Sequence, residues 1–235
     1  NRPLQRRQRQ EQTYRVAKII LQRLKTEAEV RYMKIGIMGG TFDPIHNGHL
    51  MLGEAAYQLF HLDEIWFMPN GNPPHKHRSS IESDVADRVE MVRLAIQGHK
   101  SFRLQPYEAQ KKEVSYSYET LEHFNEAYED DAFYFIIGAD SLFAIEGWVH
   151  PERIFPTCTI LAAYRDDIDT KEEMSRQIDY LRGKYHAKIE LLATPLMHVS
   201  SIELRTRLKQ GGDISQMVPE KVRGYIKNHH LYKEV

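Results

Sequence analysis

The chain has 235 residues, of which 41% are hydrophobic and 28% are charged, and its formal net charge is −1. These values are typical of a globular protein with a sizeable core, built as one large domain or as a domain of about 200 residues with an appendage. The longest apolar run, Ala132–Ile137, is too short to cross a bilayer. One cysteine, Cys158, excludes an intrachain disulfide and any multi-cysteine metal site. Because no segment near the N-terminus resembles a secretory signal, we expect a cytoplasmic protein.

Residues 1–32 differ in charge from the rest of the chain. They contain seven Arg, two Lys and three Glu, a net charge of +6, which leaves −7 for residues 33–235. The Arg/Gln-rich part Arg2–Gln12 predicts a solvated or disordered tail, and helical spacing of apolar residues between Tyr14 and Tyr32 predicts an amphipathic helix. We interpret residues 1–32 as a basic extension, partly disordered and then helical, and residues 33–235 as the domain. Residues 1–32 could alternatively act as a nucleic-acid-binding arm, a partner helix or a targeting leader.

Strand-like and helical patterns alternate from residue 34 onward. Strands are predicted at Lys34–Met38, Glu64–Met68, Phe102–Gln105, Ala132–Gly138, Thr157–Ala163 and Lys188–Leu192. Helices are predicted at Gly48–Phe60, Asp84–Gln97, Ser117–Tyr128, Lys171–Tyr185, Ser201–Lys209 and Pro219–His229. This alternation predicts an α/β protein with a doubly wound, mostly parallel sheet covered on both faces, since an eight-stranded barrel needs about 250 residues.

The turn after the first predicted strand is the most informative stretch. It consists of Gly39-Gly-Thr-Phe-Asp-Pro-Ile-His-Asn-Gly-His49. Two adjacent glycines remove side chains where a ligand must approach the backbone closely. His46 and His49 stand at the entrance of the next helix, where unpaired N–H groups attract phosphate, and both imidazoles become donors if protonated. A ligand is expected here, beyond the carboxyl ends of the strands.

Each part of this turn also has a simpler interpretation. Two glycines after a strand are commonly only a turn, and a histidine pair is commonly surface or structural. Zinc binding by histidines is a further possibility, but only Asp43 is near enough in sequence to complete a site. The P-loop and the Gly-x-Gly-x-x-Gly fingerprint are both excluded by the glycine spacing. The histidines considered above as zinc ligands are His46, His49, His75 and His77.

The segment Gly39–Leu50 resembles the signature of the nucleotidyltransferase superfamily with a His/Thr-x-Gly-His motif. Within that superfamily the chain is similar to the bacterial nicotinate-mononucleotide adenylyltransferases. Further segments match in order: Pro69–Lys76, Ser115–Ser117 with Thr120 and Leu121, Gly138–Leu142 with Trp148, and Val199–Arg205. The resemblance covers residues 33–235 and none of residues 1–32. Two positions depart from it, because Ile202 replaces a usual threonine, which puts one hydroxyl contact in doubt, and Ser117 stands where threonine is common.

The resemblance implies a Rossmann-like nucleotidyltransferase fold and adenylyl transfer from ATP to nicotinate mononucleotide, which gives deamido-NAD and pyrophosphate in NAD biosynthesis. It implies a catalytic role for His46, His49 and Arg205. It implies ATP binding by Gly39, Gly40, Thr41, Phe42, His46, His49, Ser200, Ser201 and Arg205. It implies mononucleotide binding by Lys76, Ser117, Asp140 and Trp148. Taken singly, the two serines and Asp140 could be ordinary helix caps and Trp148 a core residue.

The remaining expectations concern cofactors and partners. No acidic pair suited to a protein-held metal is evident, so we predict that Mg²⁺ arrives on the ATP phosphates and that the protein itself has no metal site. ATP and the mononucleotide are the expected partners; no membrane contact is expected, and a homo-oligomer is left open. The acidic charge of residues 33–235 argues against nucleic-acid binding as the main role. A different adenylyl- or cytidylyltransferase and a non-catalytic nucleotide sensor are rival hypotheses.

Overall fold

The structure is a computed structural model that describes residues 32–73, 81–164, 171–193 and 199–233. Residues 1–31, nearly all of the predicted basic extension, lie outside these ranges. The disordered tail and the helix predicted for the extension therefore stay predictions. The described residues from Met33 onward belong to one compact unit of the chain.

The described residues form a six-stranded sheet in which the paired strands all run parallel. The strands are β1 (Lys34–Gly40), β2 (Glu64–Pro69), β3 (Phe102–Leu104), β4 (Ala132–Gly138), β5 (Thr159–Tyr164) and β6 (Lys188–Ala193). Their spatial order, β3-β2-β1-β4-β5-β6, is that of a doubly wound fold. The chain reverses direction across the sheet between β1 and β4, so the carboxyl ends of these two strands flank a crevice. The fold predicted from the sequence is confirmed.

Helices connect the strands and cover both faces of the sheet. They are α1 (Asn47–Leu59), α2 (Val85–Ala95), α3 (Ser117–Ala127), α4 (Ala139–Ala144), α5 (Pro151–Ile154), α6 (Lys171–Tyr185), α7 (Ser201–Lys209) and α8 (Glu220–Asn228), with a 3₁₀ turn at Ile145–Gly147. The bounds predicted for the six strands and six of these helices differ from the observed bounds by at most two residues at either end. The sequence prediction missed α4, the 3₁₀ turn and α5.

Strand β4 shows how the apolar sequence makes two cores. Phe133 and Phe135 belong to the core on the face covered by α3 and α6, whereas Ile136 belongs to the core packed with α1, α2, α7 and α8. A strand buried on both faces is apolar at nearly every position, which is why Ala132–Ile137 is the longest apolar run. Each such fully buried side chain contributes about 1.5–3 kcal/mol.

Helix α1 packs unusually closely on the sheet. A Cβ atom at Gly53 would lie 2.9 Å from the Phe67 ring of β2, so a larger side chain there would push the helix away. The close approach of Gly53 to the Phe67 ring positions the helix whose first turn contains His49, a predicted phosphate-binding residue.

Candidate active site

A cavity of about 850 Å³ opens at the carboxyl ends of β1 and β4, where the strand order reverses. This volume suits a nucleotide-sized ligand. The cavity brings together residues that are far apart in the sequence, because the two strand ends and the starts of α3 and α4 meet there. The predicted site residues that line it are Gly39, Gly40, Thr41, His49, Ser117, Asp140 and Trp148.

The loop between β1 and α1 is held by a buried polar network. Asp43 is 2% exposed and accepts hydrogen bonds from the Tyr232 hydroxyl at 2.7 Å, from the Glu82 amide at 2.8 Å and from the Ser83 hydroxyl. These donors offset the cost of burying the carboxylate. They come from two other parts of the chain and fix the loop from outside the cavity.

A buried arginine holds the same loop from the other side. Arg88 of α2 is 1% exposed, and its Nη1 donates to the Thr41 carbonyl at 2.7 Å and, more weakly, to Asn70 Oδ1 at 3.4 Å. Burial lowers the pKa of its guanidinium, but not enough to remove the charge, since arginine titrates far above neutral pH. Arg88 therefore contributes a positive charge next to the β1–α1 loop.

His49 lines the cavity and carries a defined tautomer. The His46 amide donates to His49 Nδ1 at 3.3 Å, so this nitrogen is an acceptor and the ring proton lies on Nε2. The Phe42 ring meets the His49 ring edge-on at 5.0 Å. Phe42 itself is 2% exposed with φ 51°, so its side chain supports His49 and is not part of the cavity wall. The donor nitrogen of the His49 ring is thus Nε2.

His46 lies against His49, with ring centroids 3.7 Å apart, and is 6% exposed. Burial lowers the pKa of its imidazole to about 4. Burial therefore disfavours the imidazolium form of His46, and the expectation that both histidines donate to phosphate stays a prediction. Nδ1 of His46 is buried and has no hydrogen-bond partner among the described residues.

The start of α7 is fastened to the β1–α1 loop. Ser200 caps the helix by accepting from the Glu203 amide at 3.1 Å, and the Ser201 hydroxyl donates to the Pro44 carbonyl at 2.9 Å. Arg205 donates from Nη1 to the Asp43 carbonyl at 2.8 Å and from Nε to Glu82 at 3.0 Å. The described cavity lining does not include these three predicted ATP-binding residues. Their contact with phosphates stays a proposal.

Three of the predicted mononucleotide residues also line the cavity. Ser117 begins α3, Asp140 is exposed in the first turn of α4, and Trp148 is half-buried with its ring edge-on to Phe135 at 6.4 Å. Trp148 therefore both packs on the core and lines the cavity. Lys76 lies outside the described residues.

Several residues of the site have no counterpart in the sequence prediction. The hydrogen-bonding roles of Asp43 and Tyr232 and the burial of Arg88 were not anticipated, and neither was Glu108, which is 7% exposed in the cavity wall. Arg88 had a signal, because it lies on the apolar stripe of α2 with Met91, Val92 and Ala95. Glu108 had none, since it follows a short strand in a polar turn.

The described residues contain no reactive cysteine, no group of three metal-binding side chains and no membrane-spanning helix. Burial raises the pKa of the Cys158 thiol to about 12, so this cysteine is not a nucleophile at neutral pH. Across the described ranges, no three His, Cys, Asp or Glu side chains lie together as a metal-binding group. Within the same ranges, no helix combines the length and apolarity needed to span a membrane.

The fold and the loop define a class of protein that transfers nucleotidyl groups: the chain belongs to the cytidylyltransferase-like family, whose model matches residues 37–207. Among curated relatives it is similar to the nicotinate-nucleotide adenylyltransferase of Lachnoclostridium phytofermentans, with 45% identity over 199 residues, 85% of this chain and 98% of the relative. The enzyme of the same name from Clostridium kluyveri is 41% identical over 203 residues, 86% of this chain and all of the relative. The resemblance predicted from the motifs is confirmed.

Solved structures show the same fold. The nicotinic acid mononucleotide adenylyltransferase of Plasmodium falciparum, complexed with NaAD, superposes with a TM-score of 0.71 at 22% identity and covers 86% of this chain and 98% of that one. A structure from Vibrio parahaemolyticus gives a TM-score of 0.62 over 86% of this chain and 97% of that one, again at 22% identity. At this identity the likeness concerns the fold alone.

Replacing Arg205 by Lys should lower kcat/KM for ATP by about tenfold, or ~1.4 kcal/mol. Lysine has one ammonium in place of a planar fork, so it cannot reproduce the bonds to Asp43 and Glu82 together with a phosphate contact. Steady-state kinetics at varied ATP concentration measure the effect.

Ile202→Thr on the same helix is the control for Arg205→Lys. Ile202 is 69% exposed, so the change should be tolerated and should leave ATP use equal or slightly better. Unchanged ATP kinetics in Arg205→Lys would remove Arg205 from the site.

Proposed function

We propose that the protein transfers the adenylyl group of ATP to nicotinate mononucleotide, giving deamido-NAD and pyrophosphate in NAD biosynthesis. The observation that carries the proposal is the cavity at the strand-order reversal, whose lining includes His49, Asp140 and Trp148. The relatives that match nearly end to end bear the name of this enzyme. A protein of this class works in the cytoplasm.

In this reaction an oxygen of the mononucleotide 5′-phosphate attacks the α-phosphorus of ATP. The bond from the α-phosphorus to the bridging oxygen breaks, and pyrophosphate leaves. Little covalent chemistry is required of the protein, which must align the two phosphates and stabilise the charge that develops. The Nε2–H of His49 is proposed to donate to the α-phosphate, with a partial positive charge from the N-terminal end of α1.

The surrounding residues hold this geometry. His46 stacks on His49 and accounts for the orientation of its ring. The start of α7, with Ser200, Ser201 and Arg205, is proposed to meet the β- and γ-phosphates, since its first-turn N–H groups lie beside the same loop. Lys76 is proposed to approach the phosphates from its own loop.

The mononucleotide is proposed to bind across the crevice. Asp140, at the end of β4, can accept a hydrogen bond from a ribose hydroxyl, and Trp148 can stack on the pyridine ring. Ser117 and the start of α3 offer donors to the ring substituent. Mg²⁺ is proposed to enter on the ATP phosphates, where it would neutralise charge while keeping most of its waters.

Incubation of the full chain with ATP, Mg²⁺ and nicotinate mononucleotide tests the proposed function. We expect pyrophosphate and deamido-NAD to form in equal amounts. Cytidine triphosphate in place of ATP, and other phosphorylated acceptors in place of the mononucleotide, are the controls for other members of the family. If pyrophosphate forms with another acceptor but not with nicotinate mononucleotide, the substrate must be reassigned. If no pyrophosphate forms with any acceptor, the protein is better explained as a nucleotide sensor.

Deletion of residues 1–32 should change kcat/KM by no more than about threefold, less than 1 kcal/mol in transition-state free energy. The matched family model begins at residue 37, and the first of the described residues to line the cavity is Met38. The same assay on both forms, with thermal melting as the folding control, checks this. A loss of activity in a folded, shortened protein would show that the extension contributes to the site.

A further inference from the structure

The cavity wall contains a buried carboxyl group that the proposed mechanism does not use. Glu108 lines the cavity, is 7% exposed and lies in the turn that follows β3. Its Oε1 accepts a 2.8 Å hydrogen bond from the Thr120 hydroxyl, which is 1% exposed. Among the described residues, this is the one hydrogen bond to its carboxyl group. The second oxygen is available to a ligand.

The backbone around Glu108 is fixed, so the carboxyl group keeps its place. Its carbonyl accepts from the Lys111 amide at 3.2 Å, and a Cβ atom at Gly71 would lie 2.6 Å from the same carbonyl oxygen. Only glycine permits this approach of the two loops. Thr120 is itself held in the first turn of α3, one turn from Ser117.

Burial favours the protonated form of Glu108. Burial raises the pKa of the carboxyl, while the Thr120 hydrogen bond and the charge of Lys111 oppose the rise. Lys111 lies with its ammonium 4.4 Å from the centre of the Tyr107 ring. The other titratable side chains of this turn, of α3 and of the cavity wall are His49, Tyr107, Tyr116, Tyr118, Glu119, Glu122, His123, Glu126 and Asp140.

The donors beside Glu108 suit an anion. Ser115 is 4% exposed, lines the cavity, and has a hydroxyl without a hydrogen-bond partner among the described residues. Ser117 begins α3, whose first N–H groups carry partial positive charge. A ring carboxylate bound by these donors would share a wall with Glu108. Two carboxylates in one site cannot both ionise without cost.

We propose that Glu108 determines which ring substituent the mononucleotide subsite accepts. With its carboxyl protonated, Glu108 admits the carboxylate of nicotinate and can donate to it. With its carboxyl ionised, it repels that carboxylate but can accept from the amide group of nicotinamide. The inference rests on the proposed function and assigns this selectivity to one residue.

The test compares kcat/KM for nicotinate and nicotinamide mononucleotides from about pH 4 to about pH 8, a range that begins near the ordinary glutamate pKa and extends well above it. A carboxyl with a raised pKa is protonated at the low end and ionises as the pH rises. The acid-to-amide ratio should therefore fall by about tenfold or more across the range, a modest like-charge effect. The substrate phosphate, with a second pKa of about 6, is common to both substrates and cancels in the ratio.

Glu108→Gln tests the residue directly, because glutamine keeps an oxygen for Thr120 and is never charged. This variant should hold the ratio at the low-pH value of the wild type across the whole range, so that at the highest pH it exceeds the wild type by about tenfold. Glu113→Gln, a nearby exposed carboxylate, is the matched control and should keep the wild-type profile. Calorimetric binding of each mononucleotide at both pH limits should follow the same pattern.

A flat wild-type ratio would overturn the inference, whatever the variant does. A falling ratio that persists in Glu108→Gln would also overturn it, since another group would then be titrating. If Glu108→Gln folds poorly, Thr120→Val replaces it as the test: it removes the hydrogen bond that opposes the rise in the Glu108 pKa, so the fall in the ratio should move to higher pH. An unmoved fall in a folded Thr120→Val protein would overturn the inference. Turnover with a flat ratio leaves the proposed function standing, whereas absence of turnover with either mononucleotide removes both.

Discussion

His49→Ala should lower kcat by about 10²–10³ while leaving the fold intact, the range found when one donor to a transition state is lost. His49 is the histidine whose ring lines the cavity, and its proton is fixed on Nε2 by the bond that Nδ1 accepts from the His46 amide. The loss should appear in turnover more than in ATP binding. Single-turnover kinetics with saturating ATP separate the two.

The tautomer gives a sharper form of this test. Glutamine can place an amide N–H near the position of Nε2, whereas asparagine matches Nδ1. We therefore expect His49→Gln to retain part of the activity and His49→Asn to be as impaired as His49→Ala. His99→Ala, at an exposed ring outside the cavity lining, is the control. Normal turnover in a folded His49→Ala protein would contradict the assignment.

Nicotinate mononucleotide should be preferred to the nicotinamide form by at least about 10² in kcat/KM near neutral pH, the scale on which mismatched buried polar contacts discriminate. The expected donors to the acid are the N–H groups at the start of α3 and the hydroxyls of Ser115 and Ser117. An inward-facing Glu113 would repel the acid, but the structure shows that this residue is exposed. Buried Glu108 is the carboxyl that shares the cavity wall with these donors.

Parallel assays with the two mononucleotides at several concentrations measure this preference. Ser115→Ala removes the hydroxyl that has no partner within the described structure, and it should reduce the preference without affecting ATP use. Equal use of both substrates would contradict the nicotinate assignment and leave adenylyl transfer intact.

Long, strongly patterned elements could be predicted from the sequence. Strand β4 and helix α6 begin and end where their apolar patterns predict, because a doubly buried strand and a fifteen-residue amphipathic helix each give an unmistakable period. Helices α4 and α5 have six and four residues, too few for a period of 3.6 to show. Packing at the edge of the cavity decides their conformation.

The candidate site also has a part that could be predicted from the sequence and a part that could not. The β1–α1 loop could be predicted because its glycines and histidines lie within one short segment of the sequence, Gly39–His49. The partners of that loop could not, since Asp43 meets Ser83 and Tyr232, which lie 40 and 189 residues further along the chain. The motif assigns Phe42 to ATP binding, and this assignment stays a prediction; in the structure the Phe42 ring lies against His49, and Phe42 is not among the residues that line the cavity.

The hydrogen bond between Asp43 and Tyr232 has a consequence for biosynthesis. During translation Tyr232 follows Asp43 out of the ribosome 189 residues later. The buried carboxylate therefore lacks one of its donors until Tyr232 has emerged. A nascent chain can form β1 and α1 long before the hydrogen bonds that hold the loop between them are complete.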